Sequence, residues 1–437
     1  MLLLLANSLG LADAASLAFD ATSHTFDAWA AHHHRAYATP AERTLRRAAF
    51  EANLAALDAL SARSPLATYA PDAFADYTAE ELRSLRGGAS EAPPSAERVA
   101  KPTAAAVRAA LASPIDWRSR GAVTTPTSQG RCATCAYFAG VAAAEGAWKI
   151  AGHPLVKLSE QQEIDCYNNG GYALPNIAKY GVARAVDAPL ANHSDPTITG
   201  CRGITNCTDA ASKAFATIDG LRMPASHNDT DILPMLADGP MAVSVDAGPY
   251  NGYGGGILNC SASPPYHHVD HANALVGYGV EPPPRPCASQ PANASYTTLC
   301  ETAWTGRAWW KPSTSAAKSV DECCGRCAAI VGNGSWNDPA CGAAVYDAAA
   351  GTCSLKATAA TGHALAGMPK PQAGATTCIP FRRAPVPTEG LAYWVLKNSW
   401  GPAFGEGGYA RLLFGNNCLR GVTQPYLNKS AVVEAGE

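Results

Sequence analysis

The sequence predicts an α+β chain, and three stretches carry that prediction. Residues 20 to 86 read as helical, because Glu42, Arg46, Phe50, Asn53 and Leu57 recur at three- and four-residue steps along one face. A second helix-like run begins at Cys135 and lasts through Ile150, stopped by Gly152 and Pro154. Strand-like sequence comes later, at Val276-Gly277-Tyr278-Gly279 and again at Tyr393-Trp394-Val395-Leu396.

The chain begins with an apolar run, Met1 to Leu5 extended by Leu9 and Leu11. Small residues follow at Ala12-Asp13-Ala14, which reads as a signal peptide over residues 1–14. The other reading of that start is a plain buried helix. No later stretch is long and apolar enough to span a bilayer. Fifteen cysteines point to an oxidising compartment, and the odd total leaves at least one thiol unpaired. Sequons at Asn192, Asn206, Asn228, Asn259, Asn293, Asn333 and Asn428 become glycan sites if the chain takes the secretory route. The 33 basic and 36 acidic residues leave a net charge of −3, which excludes a dedicated nucleic-acid binder. With 437 residues there is room for two or three domains.

Composition divides the rest. Gly87 to Ala112 is rich in Gly, Pro and small residues and reads as a linker closing a leader over 20–112. A compact domain begins near residue 113. Residues 281–390 change character: they open on Pro282-Pro283-Pro284 and carry eight cysteines between Cys287 and Cys378. Strand-like sequence then resumes over 391–437.

The chemistry centres on Cys135. A thiol at a helix N-terminus meets unpaired N–H donors and the positive end of the dipole, which favours the nucleophilic thiolate. Alone, Cys132-x-x-Cys135 also fits a redox disulfide or half a zinc site. His271 lies in Val269-Asp270-His271-Ala272-Asn273, ahead of strand-like sequence. With His267 and His268 it could ligate a metal, but that would need a helix and a further ligand type. Pro264 and Pro265 argue instead for a loop then a strand, so no metal or other cofactor is expected. Asn398 sits in Leu396-Lys397-Asn398-Ser399-Trp400-Gly401.

In this order, Gln129 to Phe138, Val269 to Gly279 and Leu396 to Tyr409 resemble the cysteine, histidine and asparagine segments of papain-like cysteine proteases. Ala133, Thr134, Ala136 and Phe404 depart from the family pattern. The resemblance implies a helical lobe carrying Cys135, a β-rich lobe carrying His271 and Asn398, and a cleft between them, built from 113–280 and 391–437. It implies Cys135 as nucleophile, His271 as base, Asn398 orienting the imidazole, and an oxyanion hole from Gln129 and the Cys135 N–H. Trp400 would shield the His–Asn bond. Asn169-Gly170-Gly171-Tyr172 is similar to the family's glycine wall. Substrate contacts are expected at Gly170, Gly171, Tyr172, Ser244, Asp270 and Trp400, with Ala173, Val269 and Ala272 also lining an apolar pocket. Family pairings imply disulfides Cys260–Cys418 and Cys132–Cys166, leaving Cys201 with Cys207; other connectivities of those last four stay open.

The leader's stripe is similar to the inhibitory propeptide of the cathepsin L-like branch, which lies backwards through the cleft. Asp76 is its candidate for acid-triggered release. Residues 319 to 356 resemble a PAN/apple-like module, a class that binds proteins or carbohydrates, inserted as 281–390. The expected function is a zymogen of a cysteine endopeptidase in the secretory pathway, lysosomal, vacuolar or extracellular. Its partners would be a peptide substrate and its own propeptide. One alternative is a binding or adhesion protein in which the insert acts; another is a transpeptidase using the same thioester.

Overall fold

Thr25, Thr39, Thr78 and Thr103 each stand just ahead of a helix and accept a backbone N–H from the first turn with their hydroxyls. These caps start the leader's four helices in a computed structural model. It describes residues 25–64, 66–87, 92–167, 172–191, 201, 207, 211–260, 269–281, 296–304, 314–329, 341–357, 369–380 and 390–428. The signal-peptide reading, His267 and His268, and Gly170 and Gly171 all lie outside the described residues.

The leader holds α1 (Phe26–His32), α2 (Pro40–Arg63), β1 (Ala67–Tyr69), α3 (Ala79–Ser84), β2 (Glu97–Arg98) and α4 (Ala104–Leu111). Then come β3 (Ile115–Asp116), α5 (Cys135–Ile150), α6 (Glu160–Cys166), α7 (Ala173–Tyr180), β4 (Gly220–Met223), α8 (Asp229–Ile232), β5 (Met241–Val245), β6 (Tyr253–Leu258) and β7 (His271–Glu281). Residues from 296 to 380 form β8 (Tyr296–Trp304), β9 (Thr314–Ala316), α9 (Val320–Ala329), β10 (Cys341–Asp347), β11 (Thr352–Ala357) and β12 (Pro369–Pro380). The chain closes with β13 (Leu391–Lys397), β14 (Tyr409–Leu413) and β15 (Arg420–Tyr426).

Two cores form two lobes. Phe138, Val141, Ile164, Leu174 and Ile177 bury one face each of α5, α6 and α7 against one another. Met241, Val243, Leu275, Trp394 and Leu396 fill the larger β-rich core. Its sheet runs β1-β6-β14-β13-β7-β5-β15-β4-β2, with β3 on β7. Helix α5 lies along the seam, where Ala142 meets Ala274, Val276 and Val395. The fit is close: a Cβ on Gly146 would come within 2.6 Å of the Pro240 ring. Glu145, also on α5, is a buried tie between elements. It accepts from Leu158 N–H at 2.9 Å and Thr124 Oγ1 at 2.5 Å, and pairs with Lys157 at 3.2 Å and Lys397 at 3.8 Å. Removing one partner from such a buried set typically costs about 3–5 kcal/mol. The tie therefore fixes the cysteine helix against the strand that precedes Asn398.

Two expectations change. The linker over 87–112 contains β2, paired in parallel with β4, and helix α4. Thr103 and a run of alanines, the best helix formers, outweigh its loop-like composition. The expected Cys132–Cys166 disulfide is replaced by Cys132–Cys201 and Cys166–Cys207, with Cα separations of 5.8 and 5.3 Å. Both separations suit unstrained bridges, and each closes a loop of tens of residues, where Cys201–Cys207 would have closed only a local turn. Cys260–Cys418 forms as expected. Helix α6 starts from Ser159, whose Oγ accepts from Gln162 N–H, while Gln162 Oε1 accepts from Ala183 N–H.

The inserted region leaves and returns at facing positions. Glu281 pairs with Leu391 and Gly279 with Tyr393 across β7 and β13. Between them stands a separate sheet, β8-β12-β10-β11-β9, packed on α9 around the Cys323–Cys353 disulfide. Cys324 and Cys327 are disulfide-bonded as well.

Candidate active site

Cys135 is the first residue of α5, and Thr134 supplies no side-chain cap, so N–H groups of the first turn stay directed at the thiol's neighbourhood. The side chain is 1% exposed. Burial pushes its thiol up to about 12, against the pull of the Ala272 and Ala136 N–H groups. Ala272 follows His271 at the start of β7, so the thiol lies beside the imidazole's own strand. His271 Nε2 donates to Asn398 Oδ1 at 2.7 Å. That assignment leaves Nδ1 as the acceptor nitrogen, and Nδ1 is buried with no hydrogen-bond partner among the described residues. Burial, with Arg86 nearby, holds the His271 ring down near 4 despite the Asn398 bond. The Trp400 ring packs on the imidazole with centroids 5.1 Å apart.

Gln129 is wholly buried. Its Oε1 accepts from Ser399 Oγ at 2.5 Å, which leaves the amide N–H groups turned inward. Gln129 Nε2 donates to Cys132 O at 2.5 Å and to Leu85 O at 3.0 Å. Leu85 belongs to the leader, so the leader's backbone takes up this Gln129 donor. Trp400 Nε1 donates to the same oxygen at 3.4 Å.

The next two leader residues complete the cover. Arg86 pairs with Asp270 at 3.2 Å. Gly87 lies on the thiol: a Cβ there would stand 2.8 Å from Cys135 Sγ and 2.9 Å from the Ala133 carbonyl carbon, and φ is +21°. Only glycine fits. Further along, the buried Pro93 lines an apolar recess beside the thiol. Tyr172, Ala173, Ser244 and Ala272 line this recess as expected, and Val269 does not. Ala136, Ala139 and Gly140 of the cysteine helix also line it, which the sequence reading missed. Their i, i+3, i+4 spacing was the available signal. Phe404 is not a cleft residue; it is buried between Tyr250, Tyr253 and Trp400.

The leader's own fold follows its stripe. Phe50 packs on Phe26 and Trp29, Asn53 Nδ2 donates to Ala75 O and Tyr77 O, and Arg46 grips Glu81 through two bonds of 2.5 and 2.9 Å. Strand β1 pairs with β6 of the β-rich lobe, and Asp72 Oδ2 accepts from Gly252 N–H at 3.0 Å.

Asp76 does not suit the acid trigger expected of it. Burial raises its carboxyl above the usual range, and Arg35 and Tyr37 only partly offset that. A raised carboxyl binds a proton more readily when buried, so acid stabilises its docked form. Glu81 has the required sign. Burial opposes, but the bonds from Arg46 and Thr78 outweigh it and hold the group below its ordinary value. Its contribution is present above about pH 4.5 and is lost as pH falls through its lowered value. Glu81→Gln is expected to speed leader removal at pH 5.5 about two- to fivefold, followed on gels, since a partly exposed pair contributes about 0.5–1 kcal/mol. Unchanged processing would remove Glu81 as the sensor.

Comparison with known proteins agrees with this geometry. Residues 111–335 and 384–428 match the sequence model described as "Papain family cysteine protease", and residues 26–82 match "Cathepsin propeptide inhibitor domain". A cysteine proteinase of Trypanosoma brucei brucei is 33% identical over 252 residues, covering 56% of this chain and 54% of that protein. The chain thus spans about half the length of that curated relative. A senescence-specific cysteine protease of Oryza sativa subsp. japonica is 30% identical over 268 residues, covering 57% of this chain and 74% of that one. Among solved structures, digestive procathepsin L 3 of the Tenebrio molitor larval midgut aligns with a TM-score of 0.55 at 21% identity. It covers 92% of this chain and 97% of that chain, a likeness of fold.

Proposed function

This chain belongs to the papain family of cysteine proteases, and on that premise we propose a cysteine endopeptidase held as a zymogen by its own leader. One observation carries the reading: Leu85, Arg86 and Gly87 lie across Gln129, Asp270 and Cys135 beside the His271–Asn398 pair. With the leader gone, His271 Nδ1 takes the Cys135 proton and the thiolate attacks a peptide carbonyl. Gln129 Nε2 and the Cys135 N–H hold the oxyanion. His271 returns the proton to the leaving amine, and water cleaves the thioester.

The small and apolar lining of the recess beside the thiol favours substrates with an apolar side chain there. The signal-like start, the disulfides and the leader support the secretory pathway, with a lysosomal, vacuolar or extracellular destination. Among the described residues no helix is long and apolar enough to cross a membrane. The region over 281–390 is a PAN/apple-like module in this reading, with a protein or carbohydrate ligand.

The test is direct. Acid-processed protein is expected to cleave a fluorogenic peptide and to gain one adduct from an epoxide thiol-protease inhibitor, mapped by mass spectrometry to the peptide holding Cys135. Neither cleavage nor adduct would favour the adhesion-protein alternative. Conversion of an added amine into a new amide, in excess of hydrolysis, would favour transpeptidation.

A further inference from the structure

We infer that Asn273 is a positioning residue for the Cys135–His271 reaction, holding the Asn398 amide oxygen on His271 and itself held by Tyr250. The inference rests on the protease reading above.

Strands β7 and β13 are joined by a backbone ladder whose last pair toward the site is Ala274 with Lys397. His271 and Asn398 both lie beyond that end, where the ladder no longer fixes their separation. Asn273 is in the gap, on the same face of β7 as His271 because side chains alternate along a strand. Its side chain continues the ladder: Nδ2 donates to Lys397 O at 3.4 Å and to Asn398 Oδ1 at 3.0 Å. Tyr250 Oη donates to Asn273 Oδ1 at 2.8 Å, which fixes which end of the Asn273 amide faces Asn398. All the groups are buried; Asn273 and Tyr250 are each 1% exposed.

Three N–H donors therefore converge on Asn398 Oδ1: His271 Nε2, Asn273 Nδ2 and Ser399 N at 2.8 Å. Flipping the Asn398 amide would set its NH₂ against all three donors, so the oxygen stays on the imidazole. The sharing has an electrostatic side too. A carbonyl oxygen has two lone pairs, so a third donor lessens what it can offer His271. Asn273 thus holds the ring in place while moderating the stabilisation of its charged form. The other titratable groups around this cluster are Cys135 on α5, Asp270 one residue before His271, Arg86 of the leader until processing, and Asp246 near Tyr250.

The test uses protein made as the full chain and then processed, carrying Asn273→Val or Tyr250→Phe. Valine suits a strand and carries no polar side-chain atom, so the amide's hydrogen bonds are all lost. For Asn273→Val, kcat is expected to fall about tenfold, since small misplacements of a reacting group cost this much or more. The basic limb of kcat/KM, which reports loss of the imidazolium proton, is expected to rise by about half a pH unit because the Asn398 oxygen then serves fewer donors. Tyr250→Phe should show the same changes at smaller size, and the double variant should be no worse than Asn273→Val alone. A wild-type kcat, or a lower kcat with the basic limb unmoved, overturns the inference; the latter is what a merely structural residue gives. If Asn273→Val does not fold, Tyr250→Phe decides by the same two criteria. A wild type that neither cleaves peptide nor takes the epoxide brings down the protease reading and this inference with it. A working wild type beside an indifferent Asn273→Val brings down this inference alone.

Discussion

At pH 6 Cys135 of the intact chain is expected to react with iodoacetamide at least about a thousandfold more slowly than Cys135 of the processed chain. Only thiolate reacts, and burial pushes the thiol up to about 12, far above that pH. The leader contributes to that burial. Gly87 sits on the sulfur, and Arg86 brings a positive charge toward His271 that discourages the imidazolium partner of a thiolate. With the leader in place, both shifts favour the neutral thiol and the neutral imidazole. Removing residues 85–87 readmits water to both groups and takes away the arginine, so both shifts relax toward the ion pair. Mass spectrometry of timed reactions measures the rates. Gly87→Ala is expected to raise the rate of the intact chain, because its Cβ cannot share space with the thiol. Equal rates before and after processing would mean that the leader does not seal the sulfur.

The second large effect lies on α6. Glu163 is fully buried, its Oε2 accepts from Asn176 Nδ2 at 3.2 Å, and its Oε1 has no hydrogen-bond partner among the described residues. Burial pushes this carboxyl up from 4.5 to about 8, with Asn176 only partly opposing. The sign is that of a raised acid: the folded state holds a proton that the unfolded state gives up. Stability is then fully retained below about pH 4.5 and declines as pH rises through 8. A shift of this size corresponds to a loss on the order of 5 kcal/mol at pH 8. Glu163→Gln keeps the acceptor for Asn176 and removes the titration. It is expected to raise Tm at pH 8 by about 10 °C and to leave it nearly unchanged at pH 4.5, in thermal melts of the processed protein. A constant gap between variant and wild type across that range would show that the carboxyl does not titrate there.

Sequence made the chemistry legible where a residue's role depends on its immediate neighbours. Cys135 opens α5 because small, helix-favouring residues follow it and Gly152 ends the run. His271 starts β7 and Asn398 follows β13 for reasons equally local. What escaped depends on residues brought together from afar. The choice of Cys201 for Cys132 required the path of a later loop. Glu163 reads as a polar helix residue until α7 closes over it. Asn273 was visible as a polar residue two places after the histidine, but its value comes from Lys397 and Asn398 across the ladder. The helix at 104–111 was hidden by the Gly and Pro around it. Asp76 fails as a trigger because burial raises its carboxyl and reverses the sign that its charge alone suggests.

The facing of Glu281 and Leu391 at the end of one ladder has a consequence for biogenesis. The His271 strand and Asn398 are separated by 127 residues. At about 5–20 residues per second, the ribosome delivers the asparagine roughly 6–25 s after the histidine. For that interval β7 has an unmatched edge, exposed to pairing with other chains. The intervening residues have their own sheet and disulfides, so they can close as a unit before Tyr393 arrives. The leader, made first, can meanwhile cover β6 through β1. Growth of the chain at this position is tolerable only while that order holds, and slowing synthesis across residues 281–390 should be felt as aggregation rather than as loss of specific activity in the molecules that do fold.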